Sequence, residues 1–164
     1  MTEQNTSAST LSTPSDLEIV MTRVFDAPRA LVFEAYTDPR HVPHWWGLRG
    51  NTTIVDKMDV RPGGQWRYIQ RAPDGTEYAF NGEYREVAPP ERLVSTFEFE
   101  GMPGHIAVDA AQFEERDGKT TLTVTSTFTT KEERDGMLQS GMEGGANETW
   151  DRLAELLARL QAAR

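Results

Sequence analysis

The feature that most constrains this chain is a long stretch of strand-like text broken by evenly placed turns. It runs over residues 52–128. "TTIVDKMDV" stops at Arg61-Pro62-Gly63-Gly64, and "GQWRYIQR" stops at Pro73-Asp74-Gly75. "TEYAFNGEYREV" ends at Pro89-Pro90, and "RLVSTFEFE" ends at Gly101-Met102-Pro103-Gly104. "HIAVDAAQFEER" then reaches Asp117-Gly118, a strong tight-hairpin signal, before "KTTLTVTSTF". Strands that follow one another through short turns form an antiparallel meander. The long helical crossovers of a parallel sheet have no place between them.

Helical text brackets the meander. "LEIVMTRVF" reads as a first strand, and "DAPRALVFEAYTD" then shifts to helical spacing, with Pro28 at the first helical position. Val32, Phe33 and Tyr36 fall on one face. Asp38-Pro39 repeats the signal and opens a second short helix, carrying His41, His44, Trp45 and Trp46 and ending at Gly47. After the meander, residues 131–139 form a short helical segment. Met142, Ala146, Trp150, Leu153, Leu157 and Leu160 then recur at spacings of three and four along a long amphipathic helix. Gly144 and Gly145 inside that helix each cost about 1 kcal/mol against alanine. They point either to close backbone approach or to room left open. The expected architecture is α+β: a curved antiparallel sheet of about seven strands, with two short helices after the first strand, wrapped around the last helix. A sheet so curved does not fill its own concavity, so a cavity between sheet and helix is expected.

Composition narrows the partners. The formal net charge of −9 argues against nucleic acid or an anionic membrane surface, both of which need a basic face. The chain has no cysteine, which excludes disulfides, thiolate nucleophiles and Cys-ligated zinc. No apolar run is long enough to span a bilayer. Residues 1–16 are rich in Ser and Thr, lack the basic and apolar regions of a secretory signal, and are expected to form a disordered leader. One domain is expected over residues 17–164, in the cytoplasm.

In this order, "FDAPRALVFEAYTDPRHVPHWWG", "DVRPGGQWRY", "PDG", "GEYREVAPPERLVSTFEF" and "GMEGGANETWDRLAELLARL" resemble the family related to the C-terminal domain of the Hsp90 ATPase activator. That family lies within the START/Bet v 1-like (SRPBCC) superfamily. The resemblance runs from Leu17 to Leu160. It implies a helix-grip fold and either a binding protein or an enzyme of cyclase type. Family members usually carry proline where this chain has Leu48, and many carry tryptophan where it has Ala146. The founding co-chaperone has an additional N-terminal domain with no counterpart here, so Hsp90 stimulation is a poor inference from the shared name.

Candidate site residues follow from alternation. Trp66, Tyr68 and Gln70 share a face. So do Tyr78, Phe80, Gly82 and Tyr84; Leu93, Ser95, Phe97 and Phe99; and Leu122, Val124, Ser126 and Phe128. The inward set is aromatic with occasional hydroxyls, and Gly82 among it favours a hollow. The candidate cavity walls are Trp45, Trp46, Trp66, Tyr68, Phe80, Tyr84, Phe97, Met142, Ala146 and Trp150. At least one of Trp45 and Trp46 is expected to anchor the short helices, and the other stays open as a cavity wall. His41 and His44 have a ligand-like spacing, but Pro43 interrupts it and only His105 remains elsewhere. No metal or other cofactor is expected.

Catalytic signals are weak. No Gly-x-Ser-x-Gly surrounds Ser95 or Ser126, and Asp56 and Asp59 fall on opposite faces of a strand. No catalytic residue is assigned. The expected function is binding of a lipid-like or aromatic small molecule in a hydrophobic cavity. One alternative is a cyclase- or hydrolase-type enzyme with Tyr68, Tyr84 or a rim histidine as acid or base. The other is a protein–protein module acting on a chaperone ATPase through the outer sheet face. A homodimer stays open, with no interface specified.

Overall fold

The computed structural model of the chain describes residues 9–163. Eight antiparallel strands form one open, curved sheet. They are β1 (Ser9–Ser12), β2 (Glu18–Phe25), β3 (Thr52–Met58), β4 (Gln65–Arg71), β5 (Glu77–Ala88), β6 (Arg92–Phe99), β7 (Ile106–Arg116) and β8 (Lys119–Thr127). The spatial order is β1-β2-β8-β7-β6-β5-β4-β3, so β3 to β8 are a pure meander and β2 closes on its last strand. At the β7–β8 turn Asp117 and Gly118 both take positive φ, 53° and 77°, as a two-residue hairpin requires. Bulges between Val55 and Lys57 and between Tyr84 and Glu86 bend the sheet around its concave face.

The helices are α1 (Arg29–Thr37), α2 (Lys131–Gln139) and α3 (Met142–Ala162), with a single 3-10 turn at Val42–His44. Pro28 sits in extended conformation as the N-cap of α1, one position earlier than expected. The second short helix is only the 3-10 turn and stops at His44; Gly47 lies in the loop beyond. Thr130 caps α2 by accepting from the Glu133 N–H. α1 packs against β7 through the Phe33–Phe113 and Tyr36–Phe113 ring pairs, at centroid distances of 5.2 and 5.5 Å. Thr120 is fully buried and donates to the Ala27 carbonyl at 2.7 Å, which ties the start of the α1 segment to β8.

Two further expectations are corrected. The leader expected over residues 1–16 is not featureless throughout: Ser9–Ser12 pair with Val20–Arg23 as the edge strand β1, which raises the count to eight. Its backbone N–H and C=O groups pair regardless of the polar side chains. Residues 1–8 lie outside the described residues. Gly82 does not open a hollow. A Cβ there would lie 1.9 Å from the Thr96 carbonyl oxygen and 2.4 Å from Trp66 Nε1, so the glycine lets β6 and the Trp66 indole close onto β5.

α3 has two unlike halves. Trp150, Leu153, Leu156 and Leu157 are buried and hold the helix on the sheet. Toward its start the residues are small or slender: Gly144, Gly145 and Ala146. A Cβ on Gly144 would meet nothing within 4 Å, and one on Gly145 would meet only Leu48, at 3.8 Å. Gly144 is exposed, while Gly145 and Ala146 leave room beneath the helix.

Candidate functional site

The room is a cavity of about 740 Å³ between the concave face of the sheet, the first half of α3 and the loop after the 3-10 turn. This lies within the range of small-molecule sites, roughly 300–1,000 Å³. All ten expected wall residues line it: Trp45, Trp46, Trp66, Tyr68, Phe80, Tyr84, Phe97, Met142, Ala146 and Trp150. β2 and β4 to β8 contribute through alternation. Leu48, Tyr78, Ser140 and Gly141 are the exposed members of the lining, and they mark the mouth.

The two adjacent tryptophans divide as the chain turns. Trp45 is 2% exposed and its indole N–H donates to the Ala35 carbonyl at 2.9 Å, so it anchors the 3-10 turn to α1. Trp46 stands edge-on to Tyr68 and Phe80, with centroids 5.0 and 5.3 Å away, and builds the aromatic wall. Its carbonyl accepts from Gln70 Nε2 and from the Thr53 hydroxyl. Gly47 follows with φ +96°, in the left-handed region, and a Cβ there would strike the Gln70 amide.

This loop is strapped to α3. Arg152 Nη1 donates to the Gly47 carbonyl at 2.9 Å, and Thr149 Oγ1 donates to the same oxygen at 3.2 Å. The Arg49 backbone N–H reaches Glu148 at 2.7 Å, while its guanidinium forms a two-pronged pair with Glu155. The loop is thus held as one wall of the cavity from outside.

The histidines do not converge. His41 Nε2 lies 3.1 Å from Glu34 Oε2, His44 is exposed, and His105 pairs with Glu133 at 2.9 Å. Among the described residues no group of three His, Cys, Asp or Glu side chains is placed to hold a metal. Asp59 pairs with Arg61 at 2.8 Å in the turn after β3. Arg67 pairs with Asp56 and Glu100 on the sheet.

One functional candidate was not anticipated: Asp109. It lies deep within the protein on β7, with part of its surface facing the cavity. Its Oδ1 accepts a 2.6 Å hydrogen bond from the Ser126 hydroxyl on β8. Burial raises its carboxyl above the ordinary aspartate range, and the Ser126 bond opposes that shift. The sequence signal is the alternation Ala107, Asp109, Ala111, Phe113, in which a carboxylate replaces an inward apolar residue.

Nearby phenols complete the polar features. The Trp150 indole N–H donates to the Tyr36 hydroxyl at 3.0 Å. Burial pushes the Tyr84 hydroxyl up to about 12 and also raises Tyr36 and Tyr68. These phenols therefore stay protonated at neutral pH and are able to donate hydrogen bonds.

A curved antiparallel sheet gripping a C-terminal helix, with a cavity between them, defines a helix-grip α+β domain of the SRPBCC type. Residues 26–158 match the family model of Activator of Hsp90 ATPase homolog 1-like protein, and the chain belongs to that family. Solved structures agree on the fold. A protein from Rhodobacter sphaeroides superposes with a TM-score of 0.87 at 24% identity, covering 93% of this chain and 99% of that one. A protein from Staphylococcus epidermidis is 30% identical with a TM-score of 0.78, covering 92% and 94%. The AHSA1 protein from Silicibacter pomeroyi is 21% identical with a TM-score of 0.72, covering 86% and 97%. No curated protein matches the chain by sequence. Among the described residues no helix is long and apolar enough to cross a membrane.

Proposed function

We propose that this chain is a small-molecule binding protein whose cavity takes a lipid-like or aromatic ligand. The observation that carries the reading is the 740 Å³ cavity itself, walled by aromatic side chains from four neighbouring elements of the sheet and loop and left open by the small residues of α3. Ordinary interiors hold few voids larger than a water molecule. A space this large, with apolar walls and a few polar groups, has the chemistry of a ligand site. The family's description refers to activation of the Hsp90 ATPase, which is a protein–protein activity; the cavity supports a small ligand instead.

Native mass spectrometry of protein purified gently from its source, followed by denaturing analysis of released compounds, tests the reading. The expected result is a stoichiometric apolar or aromatic compound lost on denaturation. Protein that is empty under several growth conditions, and whose tryptophan fluorescence is unmoved by a panel of apolar probes, would overturn it.

A further inference from the structure

The cavity's charge is as informative as its shape. Among its lining residues there is no lysine, arginine or histidine, and Asp109 is the only carboxylate. Asp109 stands between Ala107 and Ala111 on the inward face of β7, and both alanines are 5% exposed. These short neighbours leave space in front of the carboxyl group. Ser126 supplies its one hydrogen bond among the described residues. Among the described residues no side-chain cation lines the cavity beside it. Tyr36 lies close enough to feel its charge and presents an aromatic ring next to Trp150.

An ionised carboxylate in apolar surroundings is costly unless it is paired. A ligand that brings its own cation removes that cost. A ligand that brings a carboxylate meets a like charge with no counter-ion in the wall. The net charge of −9 favours approach of a cation from solution and disfavours an anion.

We infer that the ligand is a protonated amine on an apolar or aromatic body, with its ammonium group held by Asp109 and its body in the aromatic cavity. This rests on the small-molecule reading above and narrows it: free fatty acids and other carboxylate lipids are the wrong class. The Ser126 hydroxyl fixes one carboxylate oxygen, leaving the other for the ammonium.

Calorimetric titration with three probes of one shape, naphthylethylamine, naphthylethanol and naphthylacetate, tests this on the wild type and on Asp109→Asn. The amine is expected to bind roughly tenfold more tightly than the alcohol, the usual worth of a hydrogen bond to a charged group. The acetate is expected to bind weakest. In Asp109→Asn the amine should fall to within about twofold of the alcohol. Should that variant not fold, the wild-type ranking decides alone. Equal binding of amine and alcohol, an acetate that binds best, or an amine preference that survives Asp109→Asn would each overturn the amine assignment while leaving the cavity reading intact. Binding of none of the three would overturn both.

Discussion

Replacing Ala146 with tryptophan asks whether the space beneath α3 is open in solution. Ala146 is half-buried, lines the cavity, and follows two glycines that leave the helix surface bare. An indole there would bury about 150–250 Å². At about 25 cal/mol per Å² the gross gain is about 4–6 kcal/mol, and this is an upper bound. Lost rotamer freedom opposes it by about 1–2 kcal/mol. The indole N–H, taken from water, opposes it by about 1–3 kcal/mol if it finds no acceptor. Taken at their midpoints, these terms leave a net stabilisation of about 1–2 kcal/mol. For a chain of 164 residues that raises the unfolding midpoint by about 2–8 °C. Scanning calorimetry reads the midpoint, and the naphthyl titrations should show weaker binding because the indole occupies the same space. A midpoint lowered by a comparable amount would refute the reasoning. It would mean that the chain already fills this space, since forcing extra bulk into a packed core costs about 1–3 kcal/mol.

Other perturbations address the polar features. Burial holds the Asp109 carboxyl above the usual aspartate range, so between the unfolded and native values the native state keeps a proton that the unfolded chain has released. Stability therefore falls as pH rises through that interval. Asp109→Asn should raise the midpoint at neutral pH and lose this advantage at about pH 3, where both states are protonated; an equal gain at both pH values would show that the carboxyl is not the cause. Arg152→Ala removes the straps from Nη1 to the Gly47 carbonyl and its neighbours. Amide exchange in residues 46–51 should accelerate while β7 and β8 stay protected; uniform acceleration would argue for a global role. Thr120→Val leaves the Ala27 carbonyl without its buried donor and should cost about 1–3 kcal/mol in denaturant unfolding. A neutral result would show that water replaces the hydroxyl.

The wall of the cavity was legible because a strand's side chains alternate without exception unless a bulge intervenes. Trp66, Tyr68 and Gln70 fall inward together, and once one is placed the others follow. The long helix was legible for a similar reason, with Leu156 joining the expected stripe. β1 was not, because "STLS" contains one apolar residue and its pairing with β2 is made by backbone groups that every residue carries. Gly82 was misread because an absent side chain has the same sequence whether the space is empty or taken by a neighbour's indole. Asp109 escaped for the opposite reason: Ala107 and Ala111 give its strand little apolar signal. Their smallness is what lets the carboxyl face open space.

The residues that hold the fold differ from those that shape the site. Trp45 is hydrogen-bonded to α1 and fixes the 3-10 turn; Trp46, its neighbour, lies among rings that belong to the cavity. Leu153, Leu156 and Leu157 fasten one half of α3, while Gly145 and Ala146 leave the cavity side of the other half bare. Arg23, buried on β2, pairs with Asp151 at 2.7 Å beside the fastened half, and Arg152 and Arg49 tie the loop from the solvent side. Attachment of the helix and the loop thus depends on residues at the edge of the cavity or outside it. An interior void forfeits the dispersion contacts that packed side chains would make. The chain tolerates that loss because its fastening is placed elsewhere, and a ligand that fills the void would recover part of it. Saturation with such a ligand at 100 times its Kd would add about 2.7 kcal/mol of stability by mass action alone. Substitutions on the fastening set should therefore change stability and leave the ligand's increment in place, whereas substitutions on the bare set should change the increment that ligand supplies, whatever they do to the free protein.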